Sequence, residues 1–435
     1  MAPEMIGIIG IIALFILILL RIQVGIALLL VGFTGYIFLT GVEVALSQLG
    51  ASGFGTVNSY NLSVVPMFIL MGMFLSYSDL SKELFNSVDK WFGHVRGGLG
   101  MATIGACAIF SSISGSNNAT TATMARIAIP EMNRYNYHPR LSTACVAAGG
   151  TLDILIPPSV ILIFYGVLTK EPIGPLLIAG LVPGIIMAFM FIMTIYIQVR
   201  RDPSLAPSRA SVAPLSERIR SMRNIGPFIL IFMISIGGIY FGFFTPNEAG
   251  GFGAFSALVI ILLARRFTWK KFISSLDETL KFTAMIFMIL IGATLFARFL
   301  AMSRIPMNVT TIVASWDVSP YIIVAAILLL LFLLGLFMEG MAIMILTLPI
   351  LYPLMLELGF SGVWFGIIMA MVINVGLLTP PLGMSVYIIS GVVKDIPIQT
   401  IFRGVTPMII SMFVLIIILV IFPGIVSFLP EMMSK

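Results

Sequence analysis

The sequence predicts an all-α polytopic membrane protein made of two inverted repeats, each with a re-entrant helical hairpin and a helix broken at a Pro-Pro pair. Three observations lead there. Of 435 residues, 59% are hydrophobic and only 10% charged, well below the about 25% charge of a soluble chain. The apolar stretches are long and continuous, whereas a transmembrane barrel alternates in segments of about 10 residues. The two halves of the chain also repeat one set of breaks.

Apolar stretches run over 5–20, 23–40, 60–77, 98–133, 142–169, 173–199, 224–244, 246–264, 281–301, 319–356, 360–393 and 405–428. Most match the ~20 residues that cross ~30 Å of hydrocarbon. Stretches 98–133 and 319–356 are too long for one span, and each is interrupted, at Ser114-Gly115-Ser116-Asn117-Asn118 and at Glu339-Gly340. Stretches 142–169 and 360–393 carry Pro157-Pro158 and Pro380-Pro381 at their centres. The first run, Ile6 to Leu20, lacks a basic leader and a small-residue cleavage site, and so is expected as a retained helix. Segments 78–96 and 266–280 read as amphipathic helices at the interface or as plain loops.

The basic residues give an orientation. With the N-terminus outside and both interrupted pairs re-entrant, nineteen of the 24 Lys and Arg fall inside, Arg209 and the Arg265-Arg266 pair among them. Lys170, Arg304 and Lys435 fall outside, and Arg126 and Arg298 lie at membrane depth. That asymmetry is the positive-inside bias. It accounts for the formal charge of +6 without nucleic acid.

The repeat shows in ordered pairs. Pro157-Pro158 answers to Pro380-Pro381, Gly166-Val167 to Gly391-Val392, Pro130 to Pro349 and Gly72 to Gly292, at offsets of 223, 225, 219 and 220. The first hairpin enters from inside and the second from outside, so the repeats, 1–220 and 221–435, are inverted, an arrangement suited to alternating access. The polar linker 200–223 joins them and is too short for a folded domain.

The breaks carry the chemistry. Unpaired backbone groups are not tolerated in hydrocarbon unless they line a polar cavity or bind something. Unwound carbonyls and half-helix C-termini coordinate small cations, and half-helix N-termini face anions. The pairs Ser114–Asn118 with Gly149–Pro158, and Glu339–Gly340 with Gly376–Pro381, therefore predict two cation sites related by the repeat. Cys107 and Cys145 stand in apolar surroundings, and His94 and His138 in polar connections, so neither a disulfide framework nor a histidine metal site is expected. The 28 methionines read as packing.

Ser114-Gly115-Ser116-Asn117-Asn118-Ala119-Thr120, Ile156-Pro157-Pro158-Ser159 with Tyr165-Gly166-Val167-Leu168-Thr169, Phe244-Thr245-Pro246-Asn247-Glu248-Ala249 and Leu378-Thr379-Pro380-Pro381-Leu382-Gly383-Met384 form a set. In that order the set resembles the large permease subunit of the tripartite ATP-independent periplasmic (TRAP) transporters, within the ion-transporter superfamily, over residues 5 to 430. The resemblance implies Na⁺-driven import of an organic anion across the bacterial inner membrane, on whose periplasmic side the basic-residue count sets the N-terminus. It also implies a periplasmic substrate-binding protein and a small four-helix membrane subunit as partners. An elevator follows, with transport domain 78–199 and 302–403 moving against scaffold 5–77 and 224–301. Carried over, the first Na⁺ site uses Ser114, Gly115, Asn117, Gly150 and Pro157, and the second Glu339, Gly340, Gly376, Thr379 and Pro380. Substrate lies near Ser116, Asn118, Ser159 and Met384.

Three intramembrane charges depart from the family pattern. Asp153 stands where a small residue is usual, Arg126 replaces a small or polar one, and Arg298 sits in an apolar span. Each costs ~2.5–3.5 kcal/mol even on lenient scales and needs a partner or water. Arg126 is expected to pair with Asp153, and Arg298 to snorkel or meet the small subunit. Glu248 is expected to cap its helix. Two competing readings remain: a stand-alone anion transporter of the same superfamily, and an intramembrane hydrolase using Ser114 or Ser116, for which no base exists at membrane depth.

Overall fold

The computed structural model describes residues 2–78, 80–207, 214–315, 318–381 and 383–433. Arg209, Leu382, Lys435 and part of the linker lie outside them. The described residues form helices and no strand, and seven of the helices are long and apolar enough to cross a membrane.

Both long stretches break where small and polar residues interrupt them. The first becomes Gly98–Ser114 and Asn117–Arg134, and the second Pro320–Gly335 and Gly340–Glu357. The Pro-Pro stretches likewise divide, into Pro139–Gly150 and Val160–Thr169, and into Gly362–Gly376 and Met384–Val392. Both Pro-Pro bonds are cis. A proline lacks the N–H that continues a helix, and its ring crowds the preceding turn.

Two packing groups emerge. In one, the 34-residue helix Trp269–Met302 lies along Val24–Thr40 and Val64–Tyr77, with Val42–Val57 and Pro246–Leu263 beside them. Close approach here depends on Gly292, whose Cβ would sit 2.5 Å from the Gly25 carbonyl oxygen. The other group gathers the first hairpin, both broken helices, Gly340–Glu357, Ile173–Arg201 and Ile398–Ile421.

This second group is stitched across the two halves of the chain. Tyr165 Oη donates to the Gly362 carbonyl at 2.7 Å and Arg140 Nε to the Arg403 carbonyl at 3.2 Å, while Trp364 Nε1 donates to the Leu419 carbonyl at 3.0 Å within the second half. Tyr165 is fully buried between Tyr352 and Phe365. Tyr165→Phe is therefore expected to lower unfolding stability by about 1 kcal/mol, the net worth of one hydrogen bond, as read by denaturation of the solubilised protein.

Several elements differ from the expected boundaries, among them Ile305–Ala314, a helix outside every expected stretch. Val42–Val57 is helical although its Gly, Ser and Glu residues kept it out of the apolar list. Segment 266–280 is, from Trp269 on, continuous with the span that follows it, as the start of Trp269–Met302. Leu80–Phe92 is an amphipathic helix, but its apolar side, Leu80, Leu84, Phe85 and Val88, is buried against protein helices. Glu248 closes a capping box, accepting from Thr245 N–H at 2.8 Å while its own N–H donates to Thr245 Oγ1. Cys107 and Cys145 are buried and free.

Candidate ion and substrate site

The first hairpin turns at Gly115, in the left-handed region at φ +56°. An L side chain there costs about 1–2 kcal/mol, and its Cβ would also stand 2.8 Å from the Pro158 carbonyl oxygen. Ser116 is extended and caps the next helix, its Oγ accepting the Ala119 N–H at 3.4 Å. Hairpin tip and Pro-Pro break thus touch.

A polar network fills the contact. Ser114 Oγ meets Thr120 Oγ1 at 2.7 Å, and Thr121 Oγ1 donates to Asn117 Oδ1 at 3.0 Å. Asn117 Nδ2 donates to Ser385 Oγ at 3.0 Å, joining the first hairpin to the second broken helix. Gly150 lies so near that a Cβ would collide with Thr121 Oγ1 and stand 2.9 Å from Asn117 Oδ1. The expected first set, Ser114, Gly115, Asn117, Gly150 and Pro157, is assembled around one tip.

The second set is looser. Gly376 lies against the backbone of Gly335, and Gly340 against Ile373. Thr379 Oγ1 donates to its own helix at Val375 O, 2.7 Å away, and Pro380 is exposed. Pro157 and Pro158 are both buried.

Both tips face one cavity of about 350 Å³. Ser114 to Asn118, Asp153, Glu339, Gly340 and Met384 line one side of it. Ile69 and Met73, with Phe282, Met285 and Ile286, line the side formed by the other helix group. Ser116, Asn118 and Met384 thus stand where a substrate was expected. Ser159 does not: it is 1% exposed, and its Oγ accepts the Leu162 N–H at 3.3 Å as a helix cap. Among the described residues, no lysine or arginine is on the wall.

The expected Arg126–Asp153 pair is absent. Arg126 lies nine residues beyond Asn117, and about 100° per residue carries it half a turn away, onto the opposite face, where it is exposed. Asp153 is 4% exposed, and its carboxyl accepts from the backbone N–H groups of Asn117, Ile154 and Asp153 itself. The double variant Arg126→Ala/Asp153→Ala is therefore expected to show no rescue, with transport no better than that of Asp153→Ala alone. Arg298 is exposed and donates to Gln48 on Val42–Val57.

Asn374 was overlooked. It is fully buried, and its Nδ2 donates to the Thr151 carbonyl at 2.7 Å. The available signal was a lone amide inside the apolar run 360–376, since a polar residue at membrane depth is functional by default. Ser385 and Thr121 left no comparable signal.

Broken helices from both halves, meeting at a largely apolar cavity with a polar patch at the hairpin tips, define a membrane transport permease. Residues 11–425 match the family model of the tripartite ATP-independent periplasmic transporter, DctM component, and the chain belongs to that family. It is similar to the C4-dicarboxylate TRAP transporter large permease protein DctM of Pseudomonas aeruginosa, 34% identical over 89% of this chain and 90% of the relative. It also resembles the sialic acid TRAP transporter large permease protein SiaM of Vibrio cholerae, 31% identical over 90% of each. Among solved structures, the Alcanivorax borkumensis YdaH transporter shares the fold, with a TM-score of 0.63 at 14% identity over 88% of this chain and 89% of that one. The chain is thus the large permease of a TRAP system and a multi-pass membrane protein. Its relatives are transporter permeases, which leaves the hydrolase reading without support.

Proposed function

We propose that this permease imports a small organic anion across the bacterial inner membrane, driven by Na⁺ and moving as an elevator. A periplasmic binding protein hands over the substrate, and a small membrane subunit braces the scaffold. The observation that carries the reading is the single cavity between the hairpin tips and the facing helices of the other group. Hard oxygen donors gather at the first tip, in Ser114, Asn117 and the carbonyls around Gly150 and Pro157, and they suit a dehydrated alkali cation. Glu339 with Gly340 forms the corresponding point of the second tip. The positive-inside count favours a periplasmic N-terminus.

The inverted repeat has support in one hydrogen bond. Thr151 and Asn374 stand 223 apart, the offset of Pro157 and Pro380, and they bond to each other. Positions related by a two-fold axis touch only close to that axis. The moving body in this reading is 78–199 with 302–403, extended through Ile421 because Ile398–Ile421 packs as one piece on Pro139–Gly150.

The test is uptake by proteoliposomes holding both membrane subunits, with the binding protein outside and a panel of dicarboxylates, sialic acid, keto acids and sulfonates. A Na⁺ gradient directed inward is expected to raise uptake at least tenfold over a choline control. Uptake indifferent to Na⁺ refutes the coupling, and equal uptake without the binding protein favours a self-sufficient transporter.

A further inference from the structure

The two sides of the cavity differ in kind. Helices Val64–Tyr77 and Trp269–Met302 give it Ile69, Met73, Phe282, Met285 and Ile286, with no polar side chain among them. Every polar side chain on the described wall comes from the hairpin side.

That side attracts an anion without a lysine or arginine. Four helices begin on it, Asn117–Arg134, Val160–Thr169, Gly340–Glu357 and Met384–Val392, and the first residue of each lines the cavity. A helix start presents unpaired N–H groups and partial positive charge, a setting that favours a carboxylate. Only one end of a cargo is served in this way. A second carboxylate would meet either Glu339, which lines the second tip, or the apolar side. A sugar acid fares no better, because hydroxyls turned towards the facing helices find no side chain to bond. At about 350 Å³ the cavity is also at the small end of the ~300–1,000 Å³ range of ligand pockets. A molecule with one charged end and one hydrocarbon body suits both sides. The flexible thioether chains of Met73 and Met285 adapt to straight and branched bodies alike.

We infer that the cargo of this permease is an amphipathic monocarboxylate. Its carboxylate lies at the helix starts of the hairpin side, and its hydrocarbon body lies against Ile69, Met73, Phe282, Met285 and Ile286. The inference rests on the import of an organic anion proposed above and narrows that anion to one class, outside which dicarboxylates and sialic acid fall.

The test is thermal stabilisation of the purified permease with its small subunit in nanodiscs, at constant NaCl, by propanoate, butanoate, pentanoate and hexanoate. The half-maximal concentration is expected to fall about fourfold with each added methylene, the worth of burying one CH₂. Hexan-1-ol, which enters the same lipid but lacks the carboxylate, is expected not to stabilise. The double variant Phe282→Gln/Met285→Gln is expected to flatten the series, and if it does not fold the parent series and the alcohol decide. A midpoint independent of chain length, or equal stabilisation by the alcohol, overturns the inference and leaves the apolar side as a sliding surface. Stabilisation and uptake of succinate or sialic acid in place of the monocarboxylates overturns this class while import of an organic anion stands. If no anion stabilises the permease or is taken up, the import reading fails together with it.

Discussion

Gly150→Val is expected to abolish uptake in reconstituted vesicles. Its first new carbon would collide with Thr121 Oγ1 and press on Asn117 Oδ1, while Thr121 and Asn117 are already bonded to each other at 3.0 Å. These atoms are fixed by the first turns of Asn117–Arg134, so the hairpin tip must shift rather than a flexible side chain. Overpacking of this kind costs about 1–3 kcal/mol of stability. The loss of transport is expected to be far larger, because the displaced oxygens are those of the proposed ion site. Gly226→Ala is the control: nothing lies within 4 Å of its added carbon, inside the helix Leu215–Phe232. That substitution should leave uptake intact and add up to about 1 kcal/mol of stability. Comparable uptake by the two variants refutes the assignment of Gly150 to an ion site.

Asn117→Ala is expected to cut uptake at least tenfold and to raise the Na⁺ concentration for half-maximal transport. One amide serves three purposes at this point. It accepts from Thr121, donates to Ser385 across 268 residues of sequence, and in the proposed site would offer a ligand oxygen at the hairpin tip. Removing it leaves two buried hydroxyls without their partner, at about 1–3 kcal/mol for each one left unsatisfied. Because Ser385 opens the second broken helix, the loss also loosens the first hairpin from the other half. Asn117→Ser keeps a shorter oxygen and should recover part of the uptake. If the alanine variant lowers stability while its Na⁺ dependence is unchanged, Asn117 is a strut and not a ligand.

The architecture was legible because membrane burial writes strong signals. Hydropathy marked the spans, and the interruptions at Gly115 and at the Pro-Pro pairs marked the breaks, since few other residues end a helix in hydrocarbon. Val42–Val57 escaped because a helix against other helices, with one side exposed, need not be uniformly apolar. Within the site, the residues at the breaks themselves were legible, and their partners were not. Ser385 and Thr121 are ordinary helix hydroxyls until the fold sets them against Asn117. The Arg126–Asp153 pairing failed for a geometric reason. Two opposite charges at similar depth suggest a pair, but helix phase decides which face each occupies. Ser159 followed the same logic, its position beside Pro158 suggesting substrate and its backbone geometry making it a cap.

The unequal exposure of the two Pro-Pro breaks gives the molecule a sense of order. Pro157 and Pro158 are sealed inside, whereas Pro380 and Pro381 are open. Were the two ion sites equally open, ions would load in any sequence and leave in any sequence. On the proposed coupling, one shut break and an open mate route exchange in this conformation through the second proposed site, while the first would hold its ion until the body has moved. In the proposed elevator, a latch of that kind would let the gradient be spent once per journey, with slippage of ions without cargo held down by the order in which the doors open.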